Sequence, residues 1–220
     1  MPNDNENIER RFLTTEICAT GDESNPIIEG DAVVFNSETQ IAGMFRETIR
    51  PGAFTRVLSE NPDVIAAYNH DWNVVLGRTS SGTLVLTETM RGLHYETKIN
   101  PKDSEAMNVY HKVKRGDVPQ ASFAFTVRSE AWTKPQNKGE LALREVIEVE
   151  KLYDVGPVAF GAYPQASAQA RSQALTLQET ETPSDQAASS GAEDHQRSQQ
   201  ARGRQIDFVE RSIYIPTGEK

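Results

Sequence analysis

The sequence PQASFAFTV, residues 119–127, alternates small side chains with large apolar ones. A repeat of two is the period of a β-strand, because successive side chains point to opposite faces. One face carries the small or polar set and the other the apolar set: Ser122, Ala124 and Thr126 against Phe123, Phe125 and Val127. The stretch therefore predicts a strand that buries its aromatic face. Its small, polar face leaves room for a peptide to approach the Ser122 hydroxyl.

Further β-rich runs, separated by glycine-containing and polar turns, lie on both sides of this strand. They cover residues 27–35, 45–49, 64–70, 74–78, 84–86, 93–97, 143–149 and 151–158. A short helix is predicted over 53–58 and a clearer one over 103–115, with Asp103 as its N-cap and Gly116 at its end. We expect a mainly β chain with a few helices (α+β), arranged as an antiparallel β-barrel or sandwich.

The composition changes after residue 164. Residues 165–205 contain no aromatic side chain and are rich in Gln, Ser, Ala and Thr. Such a segment buries too little apolar surface to offset an ordering entropy of about 1–2 kcal/mol per residue. We therefore expect a domain over 10–164 and a disordered or weakly helical tail over 165–220. The apolar residues near 206–215 indicate either an irregular end or a short docking segment on a tether.

Charge and cysteine content exclude several classes of protein. The chain has 23 Lys and Arg against 32 Asp and Glu, a net charge of −9, which argues against binding to nucleic acid or anionic lipid. No apolar run of membrane-spanning length and no secretory signal is present. Cys18 is the single cysteine, and the four histidines lack metal-ligand spacing, so we expect neither a metal nor a cofactor.

Three residues form a candidate catalytic set. His70 ends an apolar run, where a rigid strand can hold a general base with a pKa near neutrality. Ser122 is a nucleophile only if such a base removes its proton. Asp154, a carboxylate among apolar residues, can orient the histidine, and Glu150 is the alternative third member. Each residue taken alone also fits a structural role, so spacing by itself gives a weak triad.

Several strings then resemble, in order, the prohead protease family of tailed bacteriophages, the capsid-maturation serine peptidases. They include FRETIRPGAF at 45–54, YNHD at 68–71, VLGRT at 75–79, SFAF at 122–125 and LYDVGPVAF at 152–160. The resemblance covers about residues 10–165. It implies a β-barrel similar to the herpesvirus assembly proteases and peptide-bond hydrolysis by a serine.

By this resemblance, His70 is the base, Ser122 the nucleophile and Asp154 the third member. Gly156 stands where the family commonly has serine. The oxyanion donor is not identified, and Arg144 or a backbone N–H are the candidates.

The implied substrate is the scaffolding segment of the phage major capsid protein. It is cut inside the assembling prohead, in the cytoplasm of the bacterial host, and the protease then cuts itself. Self-association as a homo-oligomer stays open. The alternative is a non-enzymatic β-barrel assembly or scaffolding protein of the capsid, in which His70 and Ser122 are structural.

Overall fold

The computed structural model describes residues 7–13, 17–160 and 168–179. The strands are β1 (Glu9–Leu13), β2 (Cys18–Asp22), β3 (Asn25–Val34), β4 (Thr39–Ile41), β5 (Phe45–Ile49), β6 (Ile65–Ala67), β7 (Val75–Arg78), β8 (Leu84–Glu88), β9 (Gly92–Lys98), β10 (Gln120–Thr133) and β11 (Leu143–Val158). The helices are α1 (Thr55–Ser59), α2 (Ser104–Arg115) and α3 (Ala168–Glu179), with 3₁₀ turns at Tyr68–His70 and Thr79–Ser81. The prediction of a mainly β chain with a few helices is confirmed. No helix of the described residues is long and apolar enough to cross a membrane.

The strands form two sheets. The larger has the order β1-β10-β11-β5-β4, with β6 and β7 attached beside β11, and the smaller has the order β2-β3-β9-β8. Within the described ranges no ladder joins the two sheets, so the predicted closed barrel is not confirmed. The larger sheet is also not purely antiparallel, because β5 and β6 both run parallel to β11. Both strands lie along the same edge of β11, β5 beside residues 143–146 and β6 beside 154–155, and residues 50–64, which include α1, connect them.

One apolar core joins residues of both sheets to α1 and α2. The rings of Phe123 and Phe125 stack with centroids 4.7 Å apart, and Phe54 meets Phe123 edge-on at 6.2 Å. The two phenylalanines of β10 therefore share a buried face, as their alternation in the sequence predicts.

Local sequence signals set α2 as expected. The Asp103 carboxylate accepts the backbone N–H groups of Glu105 and Ala106, at 2.9 and 3.2 Å. Gly116 ends the helix with φ of 84°, a left-handed conformation that glycine adopts without strain. The stripe that faces the core is the predicted one: Ala106, Val109, Tyr110 and Val113.

Two strand predictions differ from the structure. The runs 143–149 and 151–158 form one strand, β11, because β10 continues beside it and register shifts along the pair absorb the irregular stretch. The run 64–70 is a strand only to Ala67. The strand ends there in a tight turn, because Asn69 and His70 both adopt positive φ, 54° and 58°.

A helix lies in the segment predicted to be disordered or weakly helical. In α3, Ala170 and Ala174 are buried against Ile41 and Phe45, and the small alanines allow this close approach. The Gln178 amide adds a hydrogen bond of 2.7 Å to the carbonyl oxygen of Met44. These contacts supply the apolar burial that the segment lacks by itself. Residues 161–167 and 180–220 lie outside the described residues, as does the apolar segment near 206–215.

Candidate active site

Strands β10 and β11 place Ser122 and Asp154 on the same face of the larger sheet. Ser122 pairs with Gly156, and Ala124 pairs with Asp154, so the serine and the aspartate are diagonal neighbours. Diagonal neighbours across an antiparallel pair are about 7–8 Å apart, too far for direct contact between two short side chains. The space between the Ser122 and Asp154 side chains can hold an imidazole ring that makes one hydrogen bond to each of them.

The parallel pairing of β6 with β11 brings His70 into that gap. Ile65 pairs with Asp154 and Ala66 with Val155, and the chain turns three residues later. Positive φ at Asn69 and His70 directs the turn back over the sheet. Non-glycine residues adopt this conformation at a cost of about 1–3 kcal/mol, and such strain clusters at functional sites. The Asn69 carboxamide oxygen accepts the Ala159 N–H at 3.0 Å, which fixes the turn to the chain after β11.

An unbroken set of side-chain contacts follows from this arrangement. His70 Nδ1 lies 2.7 Å from Asp154 Oδ1, and His70 Nε2 lies 2.5 Å from Ser122 Oγ. The second oxygen of Asp154, Oδ2, accepts the indole N–H of Trp72 at 2.6 Å. The three candidate residues are thus brought together, and Trp72 joins them as a fourth member. Sequence reasoning missed Trp72, although its position two residues after His70 was the one available signal.

Gly156 lets the turn approach the sheet. A Cβ atom at this position would lie 2.3 Å from the carbonyl oxygen of Ala67, and φ at Gly156 is 150°. The serine that we expect at this position in relatives does not fit here unless β6 shifts.

The nucleophile candidate is nearly enclosed. Ser122 is 2% exposed, and the side chains of His70 and Asp154 are 16% and 1% exposed. Strand β1 runs along β10, and the Ser122 hydroxyl lies 2.6 Å from the carbonyl oxygen of Arg11. The Ser122 hydroxyl is therefore not open as predicted, because the His70 ring contacts it on the small face of β10 and the Arg11 carbonyl contacts it from β1. The exposed side of the site is the His70 side.

A buried ion cluster holds β1 in place. It consists of three glutamates and two arginines, nearly all inaccessible to solvent: Glu9, Glu47, Glu130, Arg11 and Arg144. Burial opposes ionisation of Glu9, yet hydrogen bonds and charge attraction from Arg144 and Arg11 hold the pKa of its carboxyl below the usual value. Burial likewise opposes the charge of Arg144, but its carboxylate partners raise the pKa of the guanidinium. Glu9 and Arg144 therefore both stay charged at neutral pH.

Arg144, the side chain considered as oxyanion donor, directs its guanidinium to the ion cluster. All three of its nitrogens donate to Glu9, Glu47 or Glu130, so this side chain is not available to the Ser122 site.

Two other acidic residues lie outside the site. Glu150, the alternative third member, contacts Arg56 at 3.4 Å and Arg128 at 3.5 Å and is not brought to His70. Asp71 accepts two hydrogen bonds from Asn73 and shapes its own turn. In the described part of the chain, no group of three or more His, Cys, Asp or Glu is arranged to hold a metal ion.

An acid–histidine–serine arrangement on a mainly β scaffold is the site of a serine hydrolase. Comparison with known proteins gives the family. The model of the Caudovirus prohead serine proteases matches residues 13–181, and the chain belongs to this family.

A named relative points the same way. The chain is 33% identical over 124 residues to the prohead protease of Enterobacteria phage HK97, which covers 56% of this chain and 52% of that protein. The chain thus spans about half the length of this curated relative. No solved structure matches the chain, so the expected similarity to herpesvirus assembly proteases stays a prediction.

Proposed function

We propose that the chain is a serine endopeptidase of phage capsid maturation. The observation that carries the proposal is the continuous contact from Asp154 through His70 to Ser122, at 2.7 and 2.5 Å. These contacts bring the base within hydrogen-bond reach of both its orienting acid and the nucleophile. Membership of the prohead serine protease family supplies the reaction class.

The proposed reaction is acyl transfer. His70 Nε2 takes the proton of Ser122 while the seryl oxygen attacks the scissile carbonyl carbon, and Asp154 stabilises the imidazolium that forms. The tetrahedral intermediate collapses to an acyl-enzyme when the leaving amine takes the proton from His70. Water then hydrolyses the ester by the same proton transfers. We propose a backbone N–H as the donor to the oxyanion, because the guanidinium of Arg144, the one side chain considered for this role, already donates to the carboxylates of the ion cluster.

The proposed substrate is the scaffolding segment of the phage major capsid protein, followed by the protease itself. Cleavage takes place inside the assembling prohead, in the cytoplasm of the bacterial host. The proposal is supported by the names of the HK97 relative and of the family, because both contain the word prohead.

Co-expression with the major capsid protein of the same phage tests the proposal. The wild-type chain is expected to yield a capsid protein with a new, uniform N-terminus in mass spectrometry, and Ser122→Ala is expected to leave it intact. Glu150→Gln is the matched control, because it neutralises a carboxylate on β11 that does not contact His70. Processing by Ser122→Ala would refute the assignment of the nucleophile.

A second function, a non-enzymatic assembly protein, is favoured by one observation. Ser122 is 2% exposed and already hydrogen-bonded to Arg11, as expected of a structural serine. A fluorophosphonate probe separates the two, since it reacts only with a serine that its neighbours activate. The peptidase is expected to be labelled at Ser122, with His70→Gln and Ser122→Ala both unlabelled. Absence of labelling in the wild-type chain, in the presence of an active serine hydrolase as positive control, would favour the assembly protein.

We further propose that the C-terminal segment places the enzyme inside the shell and is trimmed by it. Helix α3 covers Ile41 and Phe45, so it belongs to the folded part, and the delivery role falls to residues 180–220. Deletion of 180–220 is expected to leave fluorophosphonate labelling intact and to lower incorporation into particles. Unchanged incorporation would count against this role.

A further inference from the structure

Trp72 contacts the acid of the candidate site directly. Its indole Nε1–H donates to Asp154 Oδ2 at 2.6 Å, while Asp154 Oδ1 faces His70 Nδ1 at 2.7 Å. Asp154 is 1% exposed, so water does not replace a lost donor. Each oxygen of the buried carboxylate therefore depends on one protein group, and the two groups are two residues apart on one turn.

The two contacts hold the carboxylate in a fixed plane. A carboxylate with a single hydrogen bond can rotate about its Cβ–Cγ bond, since terminal torsions of this kind are broad. With Trp72 on one oxygen and His70 on the other, rotation breaks at least one of the bonds. The same pair of contacts fixes the turn at 68–72 to β11 in addition to the bond from Ala159 to Asn69.

We propose that Trp72 is a positioning residue for the reaction, acting through Asp154 on the ring of His70. The inference rests on the proposed peptidase function. The indole N–H of Trp72 fixes the carboxylate of Asp154. The fixed carboxylate then holds the Nδ1–H form of His70 with its Nε2 toward Ser122. Loss of a hydrogen-bond partner that orients a functional side chain typically lowers activity by roughly 10- to 100-fold.

The chain contains its own matched control. Its other tryptophan, Trp132, donates its indole N–H to Glu130 at 2.8 Å, so it makes the same kind of bond to a carboxylate. Trp132 lies ten residues from Ser122 along β10, beside the ion cluster. Trp72→Phe and Trp132→Phe thus remove the same kind of bond, one to Asp154 of the candidate site and one to Glu130 of the ion cluster.

The test measures the rate of Ser122 labelling by a fluorophosphonate in full-length protein. In that reaction the seryl oxygen bonds to phosphorus, fluoride leaves and the seryl proton passes to His70. Trp72→Phe is expected to slow labelling by about 10-fold or more, and Trp132→Phe to keep the wild-type rate within twofold. In ¹⁵N NMR, the ring nitrogens of His70 are expected to shift in Trp72→Phe and to stay unchanged in Trp132→Phe, a change that a loss of stability alone does not cause.

The outcomes separate this inference from the proposed function. Equal labelling of the wild type and Ser122→Ala defeats the peptidase assignment itself. Labelling that requires Ser122, together with a wild-type rate and unchanged His70 signals in Trp72→Phe, overturns the role of Trp72 alone.

A second measurement applies if Trp72→Phe does not fold. The Trp132→Phe protein retains one indole, and its N–H proton signal is expected to move when Asp154 is replaced by asparagine. An unmoved signal overturns the inference.

Discussion

The substitution Gly156→Ala tests whether close packing of the turn against β11 sets the site. The new Cβ would lie 2.3 Å from the Ala67 carbonyl oxygen, against an ordinary contact of at least 3.4 Å. The end of β6 must therefore move away by about 1 Å, and His70 follows three residues later. A displacement of this size at a reacting group costs on the order of 100-fold in rate. The positive φ at this position adds strain of about 1–3 kcal/mol.

The assay is the second-order rate of fluorophosphonate labelling at Ser122, with thermal unfolding measured on the same samples. Gly92→Ala is the control for a clash elsewhere, since its Cβ would lie 1.8 Å from the carbonyl oxygen of Val33 in the smaller sheet. We expect Gly92→Ala to lower stability without slowing labelling of the folded protein. A wild-type labelling rate in Gly156→Ala would refute the argument that this contact positions His70.

Three further predictions concern the acid, the ion cluster and the C-terminal helix. Asp154→Asn is expected to lower the labelling rate by about 10⁴-fold because the histidine loses its orienting charge, whereas Glu150→Gln changes it less than twofold. Because the pKa of Glu9 is lowered in the folded chain, its stabilising contribution is complete above the ordinary glutamate pKa of 4.5 and is lost as pH falls through the folded value. The denaturant concentration at the unfolding midpoint should therefore decrease as the pH is lowered below 4.5. This decrease should be less steep in Glu9→Gln. Truncation before residue 168 is expected to lower the unfolding temperature by exposing the apolar surface under α3, while truncation after 179 leaves it unchanged.

The sequence predicted correctly those elements, such as α2 and β10, that are determined by residues within the element itself. Helix α2 has its cap, its buried stripe and its terminal glycine within a single stretch, and all three lie as expected. The faces of β10 follow from a period of two. The left-handed turn at Asn69 and His70 left no such pattern, since asparagine only tolerates this conformation and does not impose it.

The candidate site depends on pairings between distant parts of the chain. His70 lies 52 residues from Ser122 and 84 from Asp154. Their meeting follows from the parallel register of β6 on β11, which no periodicity in either segment encodes. The resemblance to a family named the three residues, whereas physical reasoning from spacing gave only a weak triad. Arg144 was considered as an oxyanion donor because it lies in the strand that follows Ser122, but carboxylates from β1, β5 and β10 occupy its guanidinium.

The environment of Ser122 determines how the proposed chemistry starts. Its hydroxyl has one hydrogen but two neighbours, His70 Nε2 at 2.5 Å and the Arg11 carbonyl oxygen at 2.6 Å. The carbonyl can only accept a hydrogen bond, and a neutral His70 that donates Nδ1–H to Asp154 can only accept at Nε2. The hydroxyl therefore satisfies one acceptor at a time, and attack requires its hydrogen to turn from Arg11 to His70.

The two edges of β10 restrict how a substrate reaches this hydroxyl. Strand β1 occupies one edge and β11 the other, so an extended peptide cannot add to β10 as a further strand unless β1 leaves. Glu9 and Arg11 oppose that, because release of β1 would break their buried ion pairs with Arg144 and Glu47. A scissile carbonyl must then approach from the exposed side of His70. For the proposed peptidase, substrate selection therefore depends on the turn at 68–72 more than on the strand that carries the serine.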